Sequence, residues 1–360
     1  MKTVDPVQAY RAIRKRCFLL GLLLWVALVL AVIFTLGMGA MDIPASSILR
    51  ILSAKLRTAF FGPVGSPEAL AGISSGMVAV VWELRLPRIL LSILAGAGLA
   101  VAGVIFQGIL QNPLADPYTL GISTGAAFGA SLAIFFNITL GLLLPVSSAA
   151  LVFAALTLAL VLLIAQRSSG LVSANLIMAG IILSAILSAG ISFLKMLSGE
   201  NVGAIVFWLM GSLSAKGWNE ALLLATVVPA ALVLARIFAA DLNILTLGSR
   251  SAESLGVQVK RTRLFYLFLG ATISAVCVST CGVIGFVGLI VPHLLRMAVT
   301  SDNRLLIPLS ALLGGLLLCA ADTFARLLSG GEIPVGVLTT LLGGPFFIFI
   351  FLRQKGGRGL

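Results

Sequence analysis

Apolar residues in this chain come in long unbroken runs, with no polar face interleaved. Ten runs follow one another: Cys17–Gly37, Ile89–Leu110, Leu120–Asn137, Leu142–Ile164, Ala174–Met196, Glu220–Ala239, Leu264–Cys281, Ile284–Val299, Leu305–Leu328 and Val335–Leu352. A helix that is apolar all round needs an apolar solvent. A hydrocarbon layer about 30 Å thick is crossed by about 20 residues rising about 1.5 Å each, with every backbone amide bonded internally. The pattern therefore predicts an all-α polytopic membrane protein with about ten transmembrane helices. The first helix, 16–38, follows Arg11, Arg14, Lys15 and Arg16 as a signal peptide would. It is longer than an ordinary signal h-region and lacks a convincing cleavage site, so it reads as a retained span. Between the fifth and sixth runs, Asn201–Leu213 is apolar but too short to cross, which predicts a half-inserted or interfacial helix.

Composition agrees, with 60% apolar and 10% charged residues, where soluble domains carry about a quarter charged residues. The basic residues then orient the spans. With both termini cytoplasmic, the inside receives 16 of the 24 Lys and Arg residues, the sense of the positive-inside rule. The net charge of +12 is thus a topology signal, and it implies a lipid bilayer as partner and no nucleic acid. No linker divides residues 1–360, which read as one transmembrane domain.

Two connections are long. Residues 42–84 lie outside, with Gly62, Pro63, Gly65 and Pro67 marking a turn-rich stretch. Residues 240–263 lie inside and read as two short helices broken at Gly248 and Gly256, with Leu245, Ala252 and Leu255 as an apolar stripe facing either lipid or a partner. A faint internal echo links Gly103–Leu110 to Gly282–Ile290, as either inverted transporter repeats or chance similarity among strings of Gly, Val, Ile and Leu would. Gly121, Gly125 and Gly129 recur every four residues, a spacing that lets a neighbouring helix approach closely.

The chemistry is sparse. Cys17, Cys277, Cys281 and Cys319 have no metal-ligand spacing, and His293 is the single histidine, so no metal site and no catalytic residues are expected. No Walker A loop is present, so the chain does not hydrolyse ATP by itself. Met178, Met196 and Met210 are candidates to line a path for a bulky ligand, and equally serve as packing. Ion-coupled carriers keep carboxylates inside their spans. Here Asp322 is the main one, with Arg326 one turn later on the same face.

Several motifs carry a resemblance when taken together and in order. They are Arg85-Leu86-Pro87-Arg88, Asn112-Pro113-Leu114-Ala115-Asp116-Pro117 with Leu120–Ala126, Leu247-Gly248 through Leu255-Gly256-Val257, Gly285–Arg296 with Pro292-His293, and Glu332–Gly336 followed by Gly344-Pro345-Phe346-Phe347. The chain resembles the permease subunits of binding-protein-dependent ABC importers of the iron-siderophore, heme and cobalamin type (FecCD-like). The resemblance covers about Trp82 to Leu352. It implies the type II importer architecture in a bacterial or archaeal cytoplasmic membrane, as a homodimer. The implied partners are two cytoplasmic ATPase subunits and a periplasmic or lipid-anchored substrate-binding protein. This chain would bind no cofactor, with ATP and Mg held in the partner ATPase.

Residue roles follow from the same resemblance. Arg85, Arg88 and Arg326 match the external arginines that meet acidic residues of the binding protein. Gly248, Ser249, Arg250, Ala252, Glu253, Leu255 and Gly256 match the ATPase-coupling segment. Ser173, Ala174 and Asn175 match the cytoplasmic gate, with Ala174 lacking the hydroxyl often found there. Pro292-His293 is a pair common to that family whatever the cargo, so His293 reads as closing a helix end, with contact to a heme cargo as the alternative. The cargo implied is a siderophore or heme iron chelate, then cobalamin, with an oxyanion such as molybdate the outlier. The alternative reading is an ion-coupled secondary transporter, which would need no ATPase.

Overall fold

The computed structural model describes residues 6–39, 41, 43–61, 70, 72–168, 170–329 and 333–356, and the described residues contain helices and no strand. The turn signals at Gly62, Pro63, Gly65 and Pro67, together with Asp42 and Glu332, lie outside them. In chain order the helices are α1 (Pro6–Gly37), α2 (Ala45–Phe61), α3 (Ser75–Ala79), α4 (Leu86–Leu110), α5 (Ile122–Leu140), α6 (Val146–Ser168), α7 (Ser173–Leu197), α8 (Val202–Leu209), α9 (Trp218–Ile237), α10 (Ala239–Leu245), α11 (Ser249–Ser254), α12 (Val259–Cys281), α13 (Val287–Ala298), α14 (Asn303–Ser329) and α15 (Val335–Gly356). A π-helical turn, Val80–Arg85, joins α3 to α4 without a break.

Eight of these segments are long and apolar enough to cross a membrane, and α13 and the stretch Val335–Ile348 of α15 add two shorter apolar helices. The eighth predicted span, Ile284–Val299, is thus shorter than expected. Its first three residues, Ile284 to Phe286, are not helical, and Phe286 stands at φ +67°. The apolar run continued across this break, so hydropathy alone gave no sign of it.

The hub of the bundle is α4, which packs on α9, α12, α13 and α14. In its most apolar stretch 83% of the residues are buried, against 11% for α1 on the periphery. Small residues allow this. Gly96 faces Gly314 of α14 and Gly103 faces Gly288 of α13, so closely that a Cβ at either α4 glycine would collide with the facing carbonyl. The echoed stretches Gly103–Leu110 and Gly282–Ile290 therefore touch at the centre of the fold. Gln107 adds a polar staple, its Nε2 donating to the carbonyls of Gly288 and Leu289, both at 3.3 Å.

Helices α5, α6 and α7 pack together beside the hub. Gly125 and Gly129 of α5 lie against Phe153, and they also approach Thr157 and Ala149 of α6 respectively. Gly121 sits just before the helix at φ +74°, where it supplies the turn. On α1, by contrast, Phe18, Leu22, Leu23, Trp25, Leu30 and Phe34 are exposed. They meet lipid, as a peripheral span requires.

The external connection is largely helical where described. Under α2 lies a small outer core of Leu36, Ile43, Ile48, Ile51, Val81, Leu86, Ile89 and Cys319. Trp82 and Trp218 pack with ring centroids 4.9 Å apart, and Trp218 Nε1 donates to the Trp82 carbonyl at 3.0 Å. Such aromatics suit the outer headgroup level.

Candidate functional site

At the outer end, one carboxylate organises two arginines. Arg88 enters from the start of α4, and its Nε and Nη2 meet Asp322 side-on at 2.9 to 3.1 Å. Arg326, one turn beyond Asp322 on α14, brings its Nε to 3.3 Å of Asp322 Oδ2. The Asp322 side chain is 2% exposed, while those of Arg88 and Arg326 are 16% and 17% exposed. Two fork-shaped cations thus reach the surface from a single buried anchor.

Arg85 departs from its expected place on the rim. The residue is buried, with Nη1 donating to the Leu36 carbonyl at 2.7 Å and Nη2 to that of Met41 at 2.5 Å. The physical reason is local. The end of α1 leaves carbonyls without intrahelical partners, and Arg85, in the last turn of the π-helical segment, reaches back to satisfy that of Leu36 and, beyond the helix, that of Met41. Its role is to fasten α1 to the hub.

At the cytoplasmic end, the chain breaks at Gly248 (φ +103°) and Gly256 (φ +85°), leaving α10 and α11 as two short helices. The predicted stripe of Leu245, Ala252 and Leu255 divides. Leu245 and Ala252 are buried with Val259 in a miniature core of this segment, so they face no partner. Leu255 (61% exposed) and Leu247 (65% exposed) point outward instead. Around them Arg250, Glu253 and Gly256 are exposed, and Gly248 and Ser249 are half-buried. The available surface is an apolar pair within a polar rim.

Ser173, Ala174 and Asn175 form the first turn of α7. Ser173 Oγ lies 3.4 Å from the Ile109 carbonyl at the end of α4, and Asn175 Nδ2 donates to the Gly170 carbonyl at 3.1 Å. Ala174 is exposed. The turn is therefore pinned both to the hub helix and to its own loop.

Arg263, counted above only among the inside charges, joins these two regions. From α12 its Nη1 donates to the Leu171 carbonyl, two residues before α7, and its Nη2 donates to Ser249 Oγ of α11 at 3.1 Å. Arg263 is 7% exposed. A single buried guanidinium thus bridges the α6–α7 loop and the α10–α11 segment. Sequence offered only one cue, a lone arginine between Lys260-Arg261 and an apolar span.

A second link runs through Asp302, in the loop before α14. It accepts Asn243 Nδ2 of α10 at 2.6 Å and the Tyr10 hydroxyl of α1 at 3.0 Å. Burial pushes its carboxyl up, but the hydrogen bonds from Asn243, the Arg304 amide and Tyr10, with the Arg304 charge, together hold it below the ordinary carboxylate range.

Between the two ends lies a cavity of about 650 Å³. Met210, Phe286, Gly336 and Thr340 line it, with Asp116 and Tyr118 on the loop before α5. Part of its wall is irregular backbone, which the membrane interior tolerates only when bonded or facing a cavity. Both conditions hold: the Ser212 amide donates to the Cys281 carbonyl at 2.8 Å and the Gly336 amide to that of Gly211 at 3.4 Å. Burial raises the Asp116 carboxyl, opposed by hydrogen bonds from Thr119 and Tyr118. Met210 is the one of the three candidate methionines that lines this cavity; Met178 and Met196 are exposed on α7. His293 is buried in α13, its ring 6.1 Å from that of Phe347.

Comparison with known proteins accounts for this layout. The family model of the FecCD transport family matches residues 27–353. The chain is 38% identical over 339 residues to an uncharacterized ABC transporter permease protein, YvrB of Bacillus subtilis, covering 92% of this chain and 93% of that one. It is 40% identical over 293 residues to the cobalamin import system permease protein BtuC of Halobacterium salinarum, covering 80% and 77%. Against the molybdate import system permease protein MolB of Haemophilus influenzae it is 37% identical, covering 92% and 94%. Among solved structures it matches an inward-facing conformation of a metal-chelate type ABC transporter with TM-score 0.78 and 34% identity, over 92% of this chain and 98% of that one. With a matching family model over nearly the whole chain, a multi-pass helical fold and no ATPase motif of its own, this protein belongs to the FecCD transport family, the membrane permeases of ABC importers.

Proposed function

We propose that two copies of this chain form the membrane path of an importer whose force comes from two cytoplasmic ATPase subunits seated on residues 240–263. Leu247 and Leu255 are the anchors of that seat, and Arg250 and Glu253 form its rim. An apolar pair ringed by charge suits a protein partner better than lipid, because acyl chains cannot satisfy the rim. Cargo arrives on an external binding protein whose acidic residues meet Arg88 and Arg326. Cations at a rim steer encounter more than they add final affinity.

The observation that carries this reading is Arg263, whose guanidinium holds Ser249 of the coupling segment and the Leu171 carbonyl at once. A displacement of α11 pulls on the turn that opens α7, where Ser173, Ala174 and Asn175 form the gate. Alternating access then follows from partners moving a short lever.

The cargo class proposed is a metal chelate, a siderophore or heme, or the cobalt chelate cobalamin. Permeases named for cobalamin, hemin and iron citrate stand among the relatives at 33 to 41% identity. A molybdate permease at 37% shows that this scaffold also serves an oxyanion.

Reconstitution separates this reading from an ion-coupled carrier. Vesicles holding the permease alone, given a proton or sodium gradient, should accumulate nothing. Vesicles holding permease and ATPase, with loaded binding protein outside and ATP inside, should accumulate cargo. Uphill uptake by the permease alone would overturn the proposal.

A further inference from the structure

A third polar feature belongs to neither the docking arginines nor the gate. On the cytoplasmic side, α4, α10, α13 and the start of α14 enclose a cavity of about 270 Å³. Seven polar side chains line it: Gln107, Gln111, Asn112, Thr246, Arg296, Ser301 and Asn303.

Arg296 carries the only charge in this lining. Its Nη1 donates to Gln107 Oε1, and its Nη2 lies 3.5 Å from the Val104 carbonyl. Among the described residues no carboxylate lies within ion-pair distance of it; the ion pairs found involve Asp322. Asp302, near in sequence, is engaged elsewhere, with Asn243 and the Arg304 amide on Oδ1 and Tyr10 on Oδ2. A half-buried guanidinium compensated only by neutral oxygens is costly, and an anion beside it removes that cost.

Asn303 supplies the second, independent observation. It is 1% exposed, lines the same cavity, and its Oδ1 has no hydrogen-bond partner. Buried amide oxygens nearly always find a donor. The two ends of an amide are told apart by their neighbours; no donor holds Oδ1 where it stands, so a half-turn of the amide puts Nδ2 in its place, ready to donate to an acceptor. A cation and a turnable amide in one small polar cavity make a receptor for a compact oxyanion.

We infer that this cavity binds a phosphate group at the cytoplasmic surface, held by Arg296 and Asn303. Two sources share that chemistry: inorganic phosphate, and the headgroup of an anionic phospholipid of the inner leaflet, for which basic pockets between spans are known receptors. The site borders Thr246, and the neighbouring Gln111 Nε2 donates to the Leu245 carbonyl at 2.7 Å. An occupied site would therefore brace the first half of the coupling segment against α4.

The test uses the full chain. Inorganic phosphate is titrated calorimetrically into permease in a zwitterionic detergent. Separately, native mass spectrometry counts phosphatidylglycerol and phosphatidylcholine retained from nanodiscs. One source should bind saturably, one per chain, with affinity falling at least tenfold in both Arg296→Gln and Asn303→Leu, and less in Arg296→Lys. Phosphate binding assigns a free anion; selective retention of one phosphatidylglycerol assigns a lipid. Should Arg296→Gln fail to fold, Asn303→Leu decides alone. Absence of saturable binding from both sources, or binding unchanged in the variants that fold, would overturn the inference.

Discussion

The outer and inner ends of this permease are built from different interactions. Outside, Asp322 holds Arg88 and Arg326 in a charge-assisted cluster, and Arg85 spends its guanidinium on the last turns of α1. Inside, the connections are single hydrogen bonds spread over flexible breaks: Asn243 to Asp302, Arg263 to Ser249 and Leu171, with glycines at 248 and 256. A cluster of mutually bonded ions is stiff, whereas short helices between left-handed glycines pivot. In the proposed reading the outer end is a fixed platform for one partner, and the inner end is a lever for another.

The difference breaks most visibly where the lever meets its partner. Charging both anchors, Leu247→Glu with Leu255→Glu, places carboxylates where the account puts a dry contact. Co-purification with the ATPase should fall at least a hundredfold, with the monodisperse permease itself recovered as usual, because both side chains are exposed. Retained co-purification would return this surface to lipid.

The platform is tested next. Asp322→Asn leaves two arginines without their anion. Breaking a buried ion pair costs about 3 to 5 kcal/mol, and partial exposure of both arginines places this one toward the low end. Thermal unfolding of the purified variant should show that loss. Arg88→Gln should weaken binding-protein docking several-fold, more at low salt than at high. Arg85→Gln should instead lower stability while leaving docking per folded molecule unchanged, since its guanidinium faces inward.

The smallest effect concerns Asp302. Its folded carboxyl lies below the ordinary range, so its contribution is fully present above the unfolded value near about 4 and is lost as pH falls through the folded value. A stability scan from pH 6 to pH 3 should decline more steeply for wild type than for Asp302→Asn. Identical slopes would remove Asp302 from the link between α1, α10 and α14.

Much of this contrast was legible in the sequence, and its limits have physical causes. Hydropathy marked ten apolar segments, and the arginine and lysine distribution oriented them, because desolvation acts on composition alone. Gly248 and Gly256 marked the breaks in the lever, since only glycine enters those backbone regions cheaply. The unwound start of α13 escaped notice because Phe286 at φ +67° leaves no glycine signature. Arg85 and Arg88 stand three residues apart and look equivalent, but a helical turn sends one toward α1 and the other toward Asp322, 234 residues distant. Leu245 and Leu255 are equally apolar, and only the fold buries one and exposes the other. Arg263 was invisible as a bridge because both its partners come from other parts of the chain.

That bridge is the point at which the account is most exposed. In proteoliposomes containing the permease, its ATPase and loaded binding protein, cargo taken up per ATP hydrolysed should be compared between wild type and Arg263→Ala. ATP hydrolysis should stay within twofold of wild type while uptake falls at least tenfold, because the lever still moves but no longer pulls the gate. Uptake and hydrolysis falling in parallel, or an unchanged ratio, would contradict it.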